Sequence, residues 1–324
     1  MKAQYVSELA IGARVDAAFV LTSKQMRRTR DGEPYLSLEF ADRTGRIPGV
    51  WFRPDRKGSG IPAGAAVRVE GIVTDYRAVK RISVERIHAA ESFDRLDMLP
   101  EGTQDRDLLM ERFKRIAASV RSPESRMLLR VVFGDKRFLE RFSMCPASRS
   151  GHHAHLGGLL EHTVAVADIC DSLADQYPQV DRDLLLTAAL VHDVGVVDEL
   201  EWDATISQTD EGRLLGHVIL GDRRLQAARA RIKDRRTGER QLRVAHAVLT
   251  HHHGTGSEIS ASPATIEALL LARADSLDIE VSGFVSSLTG PGAVGERWTD
   301  AGNPFKRPLL VEAACVGQSD PVCA

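Results

Sequence analysis

The spacing of apolar residues changes once along this chain, and the change limits the folds open to it. Residues Tyr35–Phe40 alternate strictly between polar and apolar side chains, which is the period of a β-strand with one buried face. Beyond Asp105 the apolar residues instead recur at helical spacing as far as Glu280. A chain of 324 residues is long enough for two hydrophobic cores. We therefore predict an α+β multidomain protein in which a β domain precedes an all-α domain.

Four more short segments before residue 90 have the composition of strands and are separated by turn residues. Five strands in so short a stretch predict a small five-stranded β-barrel of the OB type, a fold that commonly binds single-stranded nucleic acid. The predicted domains are the barrel at 1–90, a linker and first helix at 91–122, and an all-α domain at 123–324 with an irregular segment from Gly283 onward. The four further strands are predicted at Val15–Leu21, Ile47–Phe52, Ala66–Thr74 and Arg81–Ile87, with a charged loop at Arg27–Glu33.

Charge is distributed unevenly between the two predicted domains. Residues 1–88 contain 16 lysines and arginines against 10 acidic residues, although the whole chain has a net charge of −2. A basic module on an acidic body is typical of a polyanion-binding domain attached to a catalytic domain. Single-strand binding needs such charges together with exposed rings on which bases stack. For Trp51 and Phe52 a place in the barrel core is an equal alternative. The predicted nucleic-acid-binding residues are Lys24, Arg27, Arg28, Tyr35, Trp51, Arg77, Lys80 and Arg81.

The second half of the chain has the features of a soluble helical domain. No apolar run reaches the roughly 18 residues that a membrane-spanning helix needs, and no membrane partner is expected. The cysteines Cys145, Cys170, Cys315 and Cys323 form no CxxC pair. This arrangement predicts reduced thiols and a cytoplasmic location.

Helices are predicted at Asp107–Val120, from Ser122 onward, and at Asp135–Met144, Leu156–Gln176, Arg182–Val191, Leu214–Lys233, Gln241–His251 and Pro263–Asp278.

Five separate helical segments each carry a histidine or an aspartate in apolar surroundings. A single buried histidine is usually a satisfied core residue, but burying so many titratable groups without partners would cost several kcal/mol each. A shared metal centre supplies those partners. Imidazole and carboxylate ligands suit Mn, Fe, Co, Ni or Zn, and a pair of ions bridged by one carboxylate hydrolyses phosphoesters. The series predicts a metal-dependent phosphoester hydrolase and consists of His162, His192-Asp193, His217, His251-His252 and Asp275.

Longer motifs extend this pattern over most of the chain. They are His152–Thr163 (HHAHLGGLLEHT), Leu214–His217 (LLGH), Glu267-Ala268 ahead of Asp275–Asp278 (DSLD), Tyr35–Leu38 (YLSL), Asp42–Gly45 (DRTG) and Arg297–Asp300 (RWTD). In this order they resemble the YhaM-type 3′–5′ exoribonucleases, in which an OB domain precedes a metal-dependent phosphohydrolase domain of the HD superfamily.

The resemblance implies an exonuclease that hydrolyses single-stranded RNA, and also DNA, from the 3′ end by means of a metal-activated water. It implies two divalent ions, with Mn the most usual and Co, Fe, Ni or Zn also suited, and a homo-oligomer. Asp193, His217 and His153 would be catalytic; for His152 and His153, which precede the first helix, contact with substrate phosphate and a capping or surface role are both open. The first ion would be held by His162, His192, Asp193 and Asp275, and the second by Asp193, His217, His251 and His252.

The chain departs from the family at two places. Val196 follows Gly195 where the family has a lysine suited to the scissile phosphate, and Asp278-Ile279-Glu280 stands where the family has Asp-Ala-Lys. The metal ligands are all present, and His251-His252 fits the spacing to Asp275 better than His252-His253. Two other functions stay open at this stage: hydrolysis of a nucleotide or cyclic nucleotide, and nucleic-acid binding by a catalytically weakened protein. Arg213, Arg273 and His253 are the candidates to supply the positive charge in place of that lysine.

Overall fold

Two bodies of different secondary structure follow one another in this computed structural model, a barrel and then a helical domain. A long connection between Ala89 and Arg106 carries one short helix. No helix among the described residues is long and apolar enough to cross a membrane. The predicted domain boundaries at residues 90 and 122 stay predictions. The structure describes residues 2–29, 31–76, 79–100, 102, 104–232, 238–252, 262–289 and 297–311.

The N-terminal body is a closed five-stranded barrel in which the strands are ordered β1-β2-β3-β5-β4. This closure is that of an OB-type barrel, so the predicted fold is confirmed. Strand β1 continues to Arg28, well beyond the predicted end at Leu21, because β2 pairs with it as far as Arg28 opposite Pro34. The predicted charged loop is therefore shorter than expected. The strands are β1 Arg14–Arg28, β2 Pro34–Asp42, β3 Gly45–Phe52, β4 Ala66–Tyr76 and β5 Val79–Ala89.

Trp51 lies in the barrel core, so the prediction that it stacks nucleic-acid bases is wrong. Its side chain is only 2% exposed and belongs to the cluster that also contains Phe19 and Phe40. Gly58 makes this burial possible, because a Cβ at that position would overlap the far edge of the indole ring. The neighbouring Phe52 points the other way along β3 and is 51% exposed. Alternation along the strand thus separates a core ring from a surface ring.

Capping residues fix where most of the longer helices begin. The carboxylates of Asp105, Asp135 and Asp181 accept backbone N–H groups in the first turns of three helices, and Ser122 caps a fourth that has Pro123 in its first turn. A short hairpin that was not predicted, β6 Leu200–Trp202 with β7 Ile206–Gln208, interrupts the helical domain. The helices are α1 Arg56–Ser59, α2 Arg95–Met98, α3 Arg106–Ser119, α4 Pro123–Phe133, α5 Lys136–Met144, α6 Gly158–Gln176, α7 Arg182–Val191, α8 Val196–Glu199, α9 Asp210–Arg231, α10 Gly238–Thr250 and α11 Ile266–Thr289, with one 3-10 turn at Val6–Glu8.

Helix α11 is longer than predicted, and the expected irregular segment from Gly283 is helical as far as Thr289. One glycine inside a helix costs only about 1 kcal/mol relative to alanine. The ring of Phe284 packs against Phe305, with their centroids 5.2 Å apart, and this contact supports the added turns. The extension matters for the site because α11 carries Asp275 in its first half.

Candidate functional site

All the predicted metal ligands converge in the helical domain. His162 comes from α6, the pair His192-Asp193 from the end of α7, and Asp275 from α11. These four side chains are almost completely buried. Four groups of ligand atoms form among the described residues, and in each of them the atoms lie within 4.8 Å of one another. Two of the groups share Asp193: the first is His162, His192 and Asp193, and the second is Asp193, His217, His251 and His252. The other two contain His153, one with His155 and Glu161 and one with His162 and Asp278.

Asp193 belongs to both groups because its two carboxylate oxygens face in different directions. Its Oδ2 lies 3.7 Å from Nε2 of His162 and 3.6 Å from Nε2 of His192. Its Oδ1 lies 3.5 Å from Nε2 of His217 and 3.3 Å from Nε2 of His251. One carboxylate is therefore placed to bridge two cations.

Asp275 also contacts both groups. Its Oδ1 lies 3.2 Å from Nε2 of His162, and its Oδ2 lies 3.3 Å from Nδ1 of His252. The side chain is fully buried at the middle of the helical domain. It therefore adds a second negative charge on the buried side of the centre.

Backbone carbonyls orient two of the imidazole rings. Nδ1 of His192 lies 2.7 Å from the carbonyl oxygen of Ala189, and Nδ1 of His251 lies 2.5 Å from that of Val248. Each acceptor is three residues earlier in the same helix end, where carbonyls have no helical partner. Because Nδ1 donates its proton outwards, Nε2 of the neutral ring presents a lone pair to the centre.

Carboxylates orient two further rings, and neither carboxylate was predicted as a site residue. Nδ1 of His217 donates to Oε2 of Glu199 at 2.8 Å, and Nδ1 of His162 donates to Oδ2 of Asp278 at 2.7 Å. Outer carboxylates of this kind raise the basicity of a metal-binding histidine. The sequence contained one signal for Asp278, since it follows Asp275 by three residues and so shares a face of α11. Glu199 had no comparable signal.

The unpaired atoms at the centre fit a divalent metal. Among the described residues, Oδ1 of Asp193, both oxygens of Asp275 and Nε2 of His251 are buried without a hydrogen-bond partner. Unpaired buried polar atoms are costly, and these are all electron-pair donors when His251 donates through Nδ1. Mixed imidazole and carboxylate donors are the ligands of Mn, Fe, Co, Ni and Zn. The residues therefore fit the predicted cation.

The pKa values of the centre describe the metal-free protein. Burial, together with the neighbouring imidazoles, lowers the pKa of His192 to about 4. Burial also acts to lower the pKa of His162, but the nearby carboxylates of Asp275 and Asp278 outweigh it and raise that pKa to about 10. The surrounding imidazoles hold the pKa of Asp193 well below its usual range despite burial. A cation held by His162 would therefore displace a proton, so metal binding is expected to release protons.

A cavity of about 300 Å³ opens beside the centre. Its lining does not include His153, whose Nε2 lies 3.0 Å from Oδ2 of Asp278 and which forms a further group of ligand atoms with His162 and Asp278. A contact between His153 and substrate phosphate stays a prediction, and His152 is the one of these two histidines that lines the cavity. The titratable residues of the lining are Arg149, His152, Asp193, Glu199, His217 and His252, and its other polar residues are Ser148, Ser150 and Gln208.

The turn after Asp193 packs tightly against α9. Helix α9 is interrupted at Gly216, whose φ of 72° and ψ of 158° are not helical, directly before His217. Gly195 lies against this interruption, and a Cβ there would overlap the carbonyl oxygen of His217 and the backbone N of Gly221. Glycine at this position therefore lets two ligand-bearing segments touch.

Replacing Gly195 with alanine is expected to lower the free energy of unfolding by about 1–3 kcal/mol, the usual cost of overpacking. The measurement is a urea unfolding curve of each variant. The control is Gly238→Ala, because a Cβ at Gly238 meets no atom within 4 Å. A Gly195 variant as stable as the control would contradict the close contact with α9.

Val196 follows Gly195 and is a core residue with 1% of its surface exposed. It cannot supply charge to the cavity. Arg213 and Arg273 are exposed, and neither is among the residues that line the cavity. His253 lies outside the described residues. The two described candidates, Arg213 and Arg273, therefore do not supply the lysine charge at this cavity.

On the barrel, one cross-strand row combines a cation with two aromatic rings. Arg27 on β1 is opposite Tyr35 on β2, which is opposite Phe52 on β3. The rings of Tyr35 and Phe52 have their centroids 5.6 Å apart. Cross-strand partners point to the same face of a sheet, so the row presents charge and rings together.

The other predicted nucleic-acid-binding residues have more varied surroundings. Nζ of Lys24 donates to the carbonyl oxygens of Ser59 at 2.8 Å and Ile61 at 2.6 Å, and Nζ of Lys80 donates to Leu9 O at 2.6 Å. These two ammonium groups hold loops, so a phosphate would compete with existing bonds. Arg28 is exposed and donates to Gly32 O, while the guanidinium of Arg81 lies 4.2 Å from the centroid of the Tyr76 ring. Arg77 lies outside the described residues.

Comparisons with known proteins agree with this architecture. The HD domain family model matches residues 159–280. A 3′-5′ exoribonuclease YhaM from Geobacillus sp. (strain WCH70) is 28% identical over 296 residues, which are 89% of this chain and 89% of the relative. The YhaM of Bacillus velezensis is 27% identical and covers 84% of this chain and 86% of its own. The second OB-fold domain of replication protein A from Methanococcus maripaludis is 23% identical to this chain. The match covers 28% of this chain and 96% of that domain, with a TM-score of 0.23. The predicted similarity to YhaM-type exoribonucleases and the predicted HD domain are confirmed.

Proposed function

We propose that this chain is a metal-dependent exonuclease that removes nucleotides from the 3′ end of single-stranded RNA, and also of DNA. The observation that carries the proposal is the bridging position of Asp193 between two groups of buried ligands. The HD domain and the similarity to proteins named 3′-5′ exoribonuclease over most of the chain support it. A cytoplasmic location and a homo-oligomer stay predictions.

Two divalent ions are proposed, with Mn²⁺ the first candidate. His162, His192 and Asp275 would hold one, His217, His251 and His252 the other, and Asp193 both. Bound there, the ions supply Lewis-acid charge to the phosphate and an activated water for attack on phosphorus.

The protein's own side chains prepare that chemistry. Glu199 and Asp278 fix the rings of His217 and His162, so that the ligand nitrogens are aimed before substrate arrives. Asp193 stays ionised and keeps its two oxygens directed to opposite sides of the centre. His217 and Asp193 also line the cavity, so the reacting phosphate would contact the centre from that side.

The barrel would hold the strand that leads to the cavity. Arg27 offers charge to the backbone, and the rings of Tyr35 and Phe52 offer stacking surfaces to bases. Neither contact reads a particular base, so binding would depend little on sequence.

The test of the proposed function is a time course on 5′-labelled single-stranded RNA with Mn²⁺, run with and without a chelator. We expect a ladder that shortens from the 3′ end and disappears with the chelator. RNA that stays intact in the presence of metal-loaded protein would contradict the proposal.

A cavity of about 300 Å³ also favours a second candidate, hydrolysis of a single nucleotide or cyclic nucleotide. That volume is at the low end for small-molecule sites and suits one nucleotide. Nucleotides and cyclic nucleotides are therefore offered in the same assay. Their rapid turnover beside intact RNA would favour this candidate.

Removing one ring of the barrel row is expected to weaken single-strand binding. Tyr35→Ala and Phe52→Ala should each cost about 1–3 kcal/mol, the range for one base–aromatic stack. The measurement is fluorescence anisotropy with a labelled oligonucleotide at fixed salt. The control is Tyr177→Ala in the helical domain, because Tyr177 is about as exposed as Phe52 but lies outside the row. Equal affinities for the three variants would place the binding path elsewhere.

A further inference from the structure

The cavity beside the centre has a single basic side chain other than histidine. Among its described lining residues Arg149 is the only lysine or arginine, and the lining also contains Asp193 and Glu199. A phosphodiester that enters this space brings negative charge towards two carboxylates. Transition states of phosphoryl transfer carry further charge on the phosphate oxygens, and enzymes stabilise it with fixed cations or donors. A cation at the position of Arg149 would therefore offset part of this negative charge.

The loop that carries Arg149 is held in place by its own hydrogen bonds. The backbone N–H of Ala147 donates to the carbonyl oxygen of His153 at 3.1 Å, which closes the loop at its base. The hydroxyl of Ser148 lies 2.5 Å from the carbonyl oxygen of His152, which spans the loop. Arg149 lies in the loop that these two hydrogen bonds enclose. The bonds hold its backbone, while its side chain is exposed.

The guanidinium of Arg149 is not used by the fold. No ion pair, hydrogen bond or ring contact involves it within the described part of the chain. Arg141 makes the contrast, because its Nη2 donates to Val197 O at 3.1 Å and its guanidinium lies over Trp202. A planar guanidinium can donate two parallel hydrogen bonds to a phosphate. Arg149 keeps that capacity at the edge of the cavity.

We propose that Arg149 binds the phosphate that is hydrolysed and supplies there the positive charge that the buried Val196 does not. The inference rests on the proposed phosphodiester hydrolysis and extends it to a substrate-contacting residue. Arg149 acts on the substrate, so the metal centre should form without it.

The test compares Arg149→Ala and Arg149→Lys with the full-length, Mn²⁺-loaded wild-type protein. Two substrates are used: single-stranded RNA, and bis(p-nitrophenyl) phosphate, whose only phosphate is the one that is cleaved. We expect Arg149→Ala to lose about 10²-fold in kcat on both substrates, the scale for one preorganised donor. Arg149→Lys should recover part of the loss, and guanidinium ion at millimolar concentration should partly rescue Arg149→Ala. Metal content should equal that of the wild type.

The matched control is Arg223→Ala, which removes an exposed arginine of α9 that does not line the cavity. It should hydrolyse both substrates like the wild type. If the wild type is active and Arg149→Ala matches it, the proposal is wrong. A loss confined to RNA would also overturn it, because Arg149 would then bind a neighbouring phosphate. A wild type inactive on both substrates would overturn the proposed function and this inference with it.

Discussion

Asp193→Asn is expected to abolish hydrolysis and to lower the amount of bound metal. The amide removes the negative charge and one of the two oxygens that face the separate ligand groups. Several kcal/mol of transition-state stabilisation depend on such a centre, which corresponds to a loss of at least about 10³-fold in rate. The measurements are the initial rate on single-stranded RNA and the metal content of the purified protein.

The control for this substitution is Asp203→Asn. Asp203 and its partner Arg95 are both well exposed, and surface ion pairs contribute little to stability. That variant should keep the rate and metal content of the wild type. An Asp193→Asn protein that retains most of its activity would show that the bridging carboxylate has been assigned to the wrong residue.

Removal of metal is expected to destabilise the helical domain. Ions that bind only the folded state stabilise it by about 2.7 kcal/mol per site at a free concentration of 100 Kd. For a domain of this size each kcal/mol shifts Tm by about 2–4 °C, so chelation should lower Tm by roughly 5–10 °C for each site emptied. The measurement is calorimetry of metal-loaded and chelator-treated protein.

Two comparisons make this thermal shift specific to the centre. Asp193→Asn should respond weakly to chelation, because it begins with less metal. The barrel has its own core and provides an internal reference, since a separate barrel transition should not move. Identical transitions before and after verified metal removal would contradict a structural contribution from the ions.

The barrel and the convergence of the ligands were predictable because their signals are local. In β2 the buried Leu36, Leu38 and Phe40 alternate with less buried neighbours, and this pattern alone indicates a strand. His162 and Asp275 are polar residues within apolar helices, so their burial had to be compensated. Local patterns of this kind can be read from the sequence without knowing which elements pack against them.

The features that escaped prediction depend on partners far away in the chain. The last four residues of β1, Gln25–Arg28, are exposed on both faces and belong to the strand because β2 pairs with them. Glu199 orients His217 only because α8, which ends at Glu199, packs beside α9. Trp51 fits into the core because Gly58, which has no side chain, leaves room for its ring. None of these relations has a fixed spacing in the sequence.

The two-sided position of Asp193 also makes the two halves of the centre thermodynamically dependent on one another. A cation held at Oδ2 would withdraw charge from Oδ1 and fix the torsion angles of the whole side chain. By reciprocity, a cation held at Oδ1 would change the affinity of the opposite half by the same factor. With two ions, the metal content of this protein would then be a property of the pair and not the sum of two separate affinities.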